Sequence, residues 1–182
     1  MTWIIIGLMT TIVVLWCLPT TQFCRHKHNI SRAERALETV NLIDSPGQRF
    51  AYLRKIDPFV FEELLLCAFK RQGHIIVRNQ RYTGDGGVDG QVIIDKQRFL
   101  VQAKRYQGYI HAAHVTEFGH VCRQHTLPGL FIHTGKTGKK AQLAKNHGDI
   151  QIISGQRLLT LLSSSKLSPH YIHSGINNKV AA

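Results

Sequence analysis

Two short stretches near the middle of the chain carry the residues that could do chemistry. The first spans residues 84–90 (GDGGVDG), and the second is Gln102-Ala103-Lys104 within an apolar run that begins at Phe99. A lysine in apolar surroundings is costly to bury unless it has a partner. Because side chains alternate along a strand, Gln102 and Lys104 are predicted to share one face.

A β-hairpin is predicted to bring these two stretches together. Residues 88–94 have the pattern of a strand, and residues 95–98 (DKQR) are predicted to form the turn that follows it. If the two-residue loop is Lys96-Gln97, Asp89 faces Lys104 directly and lies diagonal to Gln102. A carboxylate, an amide oxygen and an ammonium then converge, which suits a divalent cation and a phosphate. The alternative is a surface hairpin with a cross-strand ion pair, and the apolar neighbours of Lys104 count against it.

These residues resemble the active site of the PD-(D/E)xK nuclease superfamily. More narrowly, they are similar to the Mrr-like restriction endonuclease family, which often carries Gln in place of the acidic residue. The resemblance runs from about Pro58 to Leu162, and it includes Phe61-Glu62, Gly73-His74 and residues 129–132. It implies an α/β fold: a restriction-endonuclease-like core with a mixed central sheet flanked by helices.

The resemblance also implies Mg²⁺-dependent hydrolysis of phosphodiester bonds. The expected metal ligands are Asp89, Gln102 and Glu62, with Mn²⁺ as an alternative to Mg²⁺. Lys104 is expected to contact the scissile phosphate or to orient the attacking water. Asp85 lies between glycines, where a turn residue is favoured over a member of the site.

The charge of the chain favours a polyanionic partner. The formal net charge is +12 and the isoelectric point is near 9.9, which favours nucleic acid or an anionic membrane surface. Arg105, Tyr106 and Lys136 follow predicted strands and are candidate DNA contacts, with an ordinary solvated surface as the alternative. A homodimer is left open.

The pattern of the remaining elements matches this fold. Asp57-Pro58 is a helix start. On that helix, spacing places Glu62 at the border of the buried stripe and Glu63 on the wetter side. The further predicted elements are strands at 74–77, 130–132 and 150–153, and helices at 112–125, 139–145 and 155–163. The nuclease-like domain is therefore predicted over residues 57–163, with a polar tail over residues 164–182.

The N-terminal segment predicts a membrane anchor. Residues 3–18 are nearly all apolar, and residues 3–23 reach the length that crosses a bilayer. A cleaved signal peptide is the alternative, but no Lys or Arg precedes the apolar run. Arg25, Lys27 and Arg32 follow it, which by the positive-inside rule places the nuclease domain in the cytoplasm. We expect a single-pass transmembrane helix in a bacterial inner membrane (residues 1–23), followed by a basic, partly helical linker (residues 24–56).

The sequence thus predicts a membrane-anchored, Mg²⁺-dependent DNA endonuclease, of restriction type or acting on plasmid or mobile-element DNA. Two alternatives stay open. One is a non-catalytic, membrane-tethered DNA-binding protein with a degenerate nuclease fold. The other is a nuclease of branched DNA or RNA, since the chemistry of the site does not distinguish these substrates.

Overall fold

A mixed five-stranded sheet forms the centre of the computed structural model, which describes residues 26–79, 87–145 and 149–163. The strands lie side by side in chain order: β1 (Ile75–Arg78), β2 (Gly90–Ile94), β3 (Gln97–Lys104), β4 (Gly129–His133) and β5 (Ile150–Ile153). Strands β1, β2 and β3 pair antiparallel, whereas β3, β4 and β5 pair parallel. The carboxyl ends of β3, β4 and β5 therefore meet at one edge of the sheet.

Six helices accompany the sheet within the described residues. They are α1 (residues 26–42), α2 (Pro46–Lys55), α3 (Pro58–Arg71), α4 (Ala112–His125), α5 (Lys139–Ala144) and α6 (Gly155–Leu162). The predicted α/β fold with a mixed sheet flanked by helices is confirmed. No helix in the described part of the chain combines the length and the apolar character needed to cross a membrane. The predicted anchor, residues 1–23, lies outside the described residues.

Each face of the sheet has its own apolar core. On one face α1, α2, α3 and α6 pack together, with fully buried side chains that include Leu37, Leu53, Leu64 and Leu158. On the other face α4 and α5 cover β3, β4 and β5, with Phe118, Phe131 and Leu100 at the centre. Because Leu100 lies on the α4 face, alternation along β3 places Gln102 and Lys104 on that face as well.

The start of α3 follows the prediction. Asp57 is the N-cap, and its Oδ1 accepts hydrogen bonds from the backbone N–H groups of Phe59 at 2.9 Å and Val60 at 3.4 Å. Pro58 occupies the first turn, where its missing N–H leaves no intrahelical bond unmade.

The assignment of Glu63 to the wetter side of α3 is wrong. Glu63 is only 2% exposed. Its Oε2 accepts a hydrogen bond from Nε of Arg78 at 2.7 Å, and its Oε1 lies 3.4 Å from Nδ1 of His26. Since Arg78 comes from β1 and His26 from α1, α3 is covered on a side that helical spacing alone assigns to solvent. Glu62 is half-buried beside it.

The hairpin turn lies one residue earlier than predicted. Its two-residue loop is Asp95-Lys96, since Ile94 pairs with Gln97. Asp95 and Lys96 both have positive φ, at 47° and 70°, as two-residue hairpin loops of type I′ require. The predicted Lys96-Gln97 loop is therefore wrong, and every cross-strand pairing that was derived from it shifts.

Candidate active site

Asp89 lies immediately before β2, at the end of the hairpin that is remote from its turn. Its Oδ2 accepts a hydrogen bond from the backbone N–H of Ala103 at 2.6 Å, and its own N–H donates to the carbonyl of Val101 at 2.8 Å. Strand pairing between β2 and β3 ends at Gly90 and Val101, so the carboxylate satisfies an N–H group that has no ladder partner. This bond to β3 fixes the orientation of the Asp89 carboxylate.

The amide of Gln102 is oriented by a second hydrogen bond. Gln102 is 6% exposed, and its Nε2 donates to the carbonyl of Gly87 at 2.8 Å. Its Oε1 is buried, and no described residue donates a hydrogen bond to it. A buried acceptor without a donor costs about 1–3 kcal/mol, which a bound cation would offset. The donor set at this end of the hairpin, one carboxylate and one amide oxygen, is of the kind that Mg²⁺ prefers.

Gly87 is required for this arrangement. It has a φ of +83°, and a Cβ placed on it would lie 2.7 Å from Nε2 of Gln102. Any other residue would therefore push the Gln102 amide away and also strain the backbone. Asp85 lies outside the described residues.

Lys104 ends β3 on the same face as Gln102 and is half-buried. The observed register pairs Gly90 with Val101, so Asp89 lies beside residues 101–103 and does not face Lys104. The predicted direct pairing of Asp89 with Lys104 is thus wrong, because the turn is shifted by one residue. Across residues 26–79, 87–145 and 149–163, no ion pair to the Lys104 ammonium is recorded.

The third expected metal ligand is Glu62. Glu62 is half-buried on α3, in the turn before the buried Leu65 and Leu66. In the part of the chain that the structure describes, no three His, Cys, Asp or Glu side chains cluster as metal ligands. Asp89 and Gln102 bring two candidate oxygen ligands to this end of the hairpin.

A buried histidine, which the sequence did not identify as part of the site, lies beside Lys104. His133 is the β4 residue opposite Lys104 in the parallel pairing, and it is fully buried. Its Nδ1 accepts a hydrogen bond from the N–H of Gly135 at 3.1 Å, and its Nε2 lies 3.1 Å from Oγ1 of Thr137. Burial lowers the pKa of His133 from 6.5 to about 4. The imidazole is therefore neutral near pH 7 and adds no positive charge next to Lys104.

The three candidate DNA contacts lie in different surroundings. Arg105 is half-buried, and its Nη1 donates to the carbonyls of Arg54, at 3.1 Å, and of Ile56. The hydroxyl of Tyr106 is hydrogen-bonded to Nδ1 of His114. Lys136 is exposed. The guanidinium of Arg105 thus ties the end of β3 to the α2–α3 connection, a contact that the sequence did not reveal.

Comparison with known proteins identifies the family of the chain. The Mrr_cat family model, described as a restriction endonuclease, matches residues 53–162. The chain is 32% identical over 124 residues to the type IV methyl-directed restriction enzyme EcoKMrr of Escherichia coli strain K12. This alignment covers 63% of the chain and 41% of the relative, so the chain spans less than half the length of that enzyme. No solved structure matches the chain.

The family match begins near the end of α2 and ends with α6, so it contains the whole sheet and the residues Asp89, Gln102 and Lys104. Family membership and the position of these side chains therefore rest on the same segment. The chain belongs to the Mrr_cat family of restriction endonucleases, which are endodeoxyribonucleases.

Proposed function

We propose that this protein is a Mg²⁺-dependent DNA endonuclease that hydrolyses phosphodiester bonds at the end of the β2–β3 hairpin. The observation that carries the proposal is the buried Oε1 of Gln102, which has no hydrogen-bond donor among the residues that the structure describes. It lies at the same end of the hairpin as the Asp89 carboxylate, which Ala103 fixes in place. A neutral acceptor that is held in position and receives no hydrogen bond from the described residues suits a cation better than it suits a packed protein interior.

Asp89 and Gln102 are the residues that would hold Mg²⁺, with Glu62 as a further candidate. When bound, the metal supplies positive charge to the phosphoryl oxygens and lowers the pKa of a bound water. Gln102 contributes an oxygen without a charge, so the affinity for Mg²⁺ should be lower than for a site with two carboxylates. The Gly87 carbonyl keeps the Gln102 amide in one orientation, which directs its oxygen rather than its nitrogen to the cation.

Lys104 would hold the scissile phosphate. It shares the α4 face of β3 with Gln102, two residues away. The neutral His133 beside it neither repels the ammonium nor pairs with it. No described carboxylate forms an ion pair with Lys104. Its charge would orient a substrate phosphate and stabilise the developing negative charge.

Cleavage of plasmid DNA with and without Mg²⁺ tests this function. Asp89→Asn should abolish Mg²⁺-dependent cleavage because it removes the ligand charge, and Lys104→Ala should abolish it while Mg²⁺ binding stays nearly unchanged. Lys96→Ala is the control, since Lys96 is an exposed lysine in the turn at the other end of the hairpin. Unchanged cleavage in both Asp89→Asn and Lys104→Ala would refute the proposed active site.

Gln102→Glu distinguishes a metal ligand from a structural amide. If Gln102 is a ligand, the added carboxylate should tighten Mg²⁺ binding in calorimetry, and cleavage should persist or shift in metal preference. If Gln102 only supports the loop, the substitution buries an uncompensated charge and should lower stability without a gain in metal affinity. Salt-sensitive DNA binding without cleavage by the wild-type chain would favour the non-catalytic alternative.

Attachment to a membrane through residues 3–23 is a separate part of the proposal. The support is the apolar run followed by Arg25, Lys27 and Arg32. A C-terminal reporter that is active only outside the cytoplasm should stay silent. Recovery of a mature protein that lacks the first segment would overturn this topology.

A further inference from the structure

The segments that follow β3 and β4 continue to pair beyond the ends of the strands. The N–H of Ile110 donates to the carbonyl of Lys136 at 3.0 Å, and the N–H of Lys136 donates to the carbonyl of Gly108 at 2.9 Å. Nearer the strands, Oγ1 of Thr134 accepts from the N–H of Tyr106 and donates to its carbonyl, both at 3.0 Å. This doubly bonded extension lies at the same edge of the sheet as Lys104.

Close packing fixes the extension. A Cβ on Gly135 would lie 2.5 Å from the carbonyl oxygen of Gly108 and 2.6 Å from Cβ of Tyr106. The two segments are therefore in direct contact, and only glycine fits at this position. The backbone that carries the neighbouring side chains is held as firmly as a strand.

This backbone displays an aromatic ring to solvent. Tyr109 pairs with Lys136 in an isolated parallel bridge and is 68% exposed. The Lys136 ammonium lies 5.9 Å from the centroid of the Tyr109 ring, and a Cβ on Gly138 would lie 3.5 Å from Cδ1 of the ring. We call Tyr109 and Lys136 the aromatic platform. A large ring on a fixed backbone, next to a cation, suits a planar partner that carries negative charge.

The charges of this region indicate which partner that is. Between residues 96 and 148 the sequence has nine Lys and Arg residues and one acidic residue, Glu117. Lys139 and Lys140, which follow the platform, are both exposed. A planar, anionic partner for a region this rich in Lys and Arg is a nucleotide within a nucleic acid strand.

We propose that the aromatic platform binds one unstacked nucleotide of the DNA substrate, beside the phosphate that Lys104 holds. The Tyr109 ring stacks on the base, and the Lys136 ammonium contacts the phosphate of that nucleotide. This inference rests on the proposed nuclease function and specifies its substrate. A base within an intact duplex is already stacked on both faces, so the platform favours DNA with locally unpaired bases, such as a bubble, a mismatch or a junction.

The test compares two DNAs of equal length and composition, one fully paired and one with a short central bubble. Binding of the full chain is measured by fluorescence anisotropy in the Asp89→Asn background, where cleavage does not interfere. The Asp89→Asn protein, which is the reference, should bind the bubble DNA more tightly than the fully paired DNA. Tyr109→Ala should lower the ratio of bubble to duplex affinity roughly 5- to 100-fold, the range expected for loss of one stacked base. Tyr109→Phe keeps the ring and should preserve the ratio.

Two lysines give a charge-matched pair of variants. Lys136→Ala should lower bubble affinity more than duplex affinity, whereas Lys140→Ala should lower both equally.

Equal binding of bubble and duplex by the reference protein, or an unchanged ratio in Tyr109→Ala, would overturn the platform. Because Tyr109 is exposed, Tyr109→Ala should retain the wild-type circular dichroism spectrum. If the wild-type chain cleaves DNA but shows no bubble preference, only the platform fails. If it neither binds nor cleaves DNA, the proposed function fails with it.

Discussion

Protonation of His133 should destabilise the fold as the pH falls below neutrality. The imidazole is fully buried, and its Nδ1 accepts a hydrogen bond from the N–H of Gly135 at 3.1 Å. A protonated Nδ1 cannot accept this bond, and the added charge would lie in an apolar layer between Phe131 and Tyr106. Burial opposes protonation in the folded state and lowers the pKa of His133 to about 4.

The sign and the size of the effect follow from linkage. His133 titrates near pH 6.5 in the unfolded chain and near 4 in the folded chain. Between these values the unfolded chain binds more protons, so the free energy of unfolding falls as the pH falls. The contribution is fully present above pH 6.5 and is lost progressively toward pH 4. At about 1.4 kcal/mol for each pH unit, the total loss is about 3 kcal/mol.

Urea unfolding at several pH values measures this loss. Far-UV circular dichroism is a better probe than tryptophan fluorescence, because Trp3 and Trp16, the only tryptophans, lie outside the described residues. His133→Asn is the reference, since its side-chain oxygen can still accept the Gly135 N–H but does not titrate. The His133→Asn variant should be less stable than the wild type at neutral pH. The difference in unfolding free energy between the two proteins should narrow by about 3 kcal/mol toward pH 4. A difference in unfolding free energy that stays constant across this pH range would refute the buried neutral imidazole.

Three further substitutions test the site and the fold. Glu63→Gln leaves the Arg78 guanidinium without its counter-charge and should cost about 3 kcal/mol of unfolding free energy in urea. Gly87→Ala should weaken Mg²⁺ binding in calorimetry at least several-fold, because its Cβ would lie 2.7 Å from Nε2 of Gln102. Lys96→Gly should raise the unfolding free energy by roughly 0.5 kcal/mol, because glycine relieves the left-handed strain more than it adds unfolded-state entropy.

Two of these substitutions have matched controls in the chain. Glu38→Gln breaks the exposed ion pair with Arg71 and should cost no more than about 0.5 kcal/mol, so an equal loss in both glutamate variants would contradict a special role for burial. Gly73→Ala places alanine at a φ of +93° with no atom within 4 Å of the new Cβ. It reproduces the backbone strain of Gly87→Ala without touching Gln102. Weakened Mg²⁺ binding in both glycine variants would therefore indicate strain and not displacement of the amide.

Local sequence signals predicted the elements well because the physics behind them is local. The Asp57-Pro58 start of α3 depends on one side chain and two N–H groups within a single turn. The strands of the hairpin and the helix after it likewise follow from alternation and spacing. These patterns correctly indicated the strands of the hairpin and placed Asp89 and Gln102 at one end of it, whereas the mixed sheet was implied by the family resemblance.

The hairpin register was missed because neither possible loop contains glycine. Asp95-Lys96 and Lys96-Gln97 both lack the residue that marks a left-handed turn position. Asp tolerates left-handed φ better than Gln does, and this preference favours the observed loop. The shift of one residue in the loop moves the partner of any β2 residue by two positions along β3. For this reason the predicted Asp89–Lys104 pair does not form.

The error at Glu63 has a different origin, since it depends on tertiary contacts. Helical spacing divides α3 into one buried and one wet side, but the observed helix packs against the sheet and also meets α1 and β1 through His26 and Arg78. Which acidic residue becomes buried is decided by those partners. No pattern within α3 itself reports them.

The charge balance of the site also depends on partners that lie far away in the sequence. Gln102 supplies an oxygen without a charge, and burial keeps His133 neutral. Neither side chain therefore adds charge to the Asp89 carboxylate and the Lys104 ammonium. Asp89 and Lys104 together carry no net charge, so the phosphate oxygens of a bound substrate would supply the further negative charge that a divalent cation requires. The replacement of a carboxylate by Gln102 is therefore consistent with catalysis if substrate and metal bind together. Such coupling would keep the metal site weak until DNA is present.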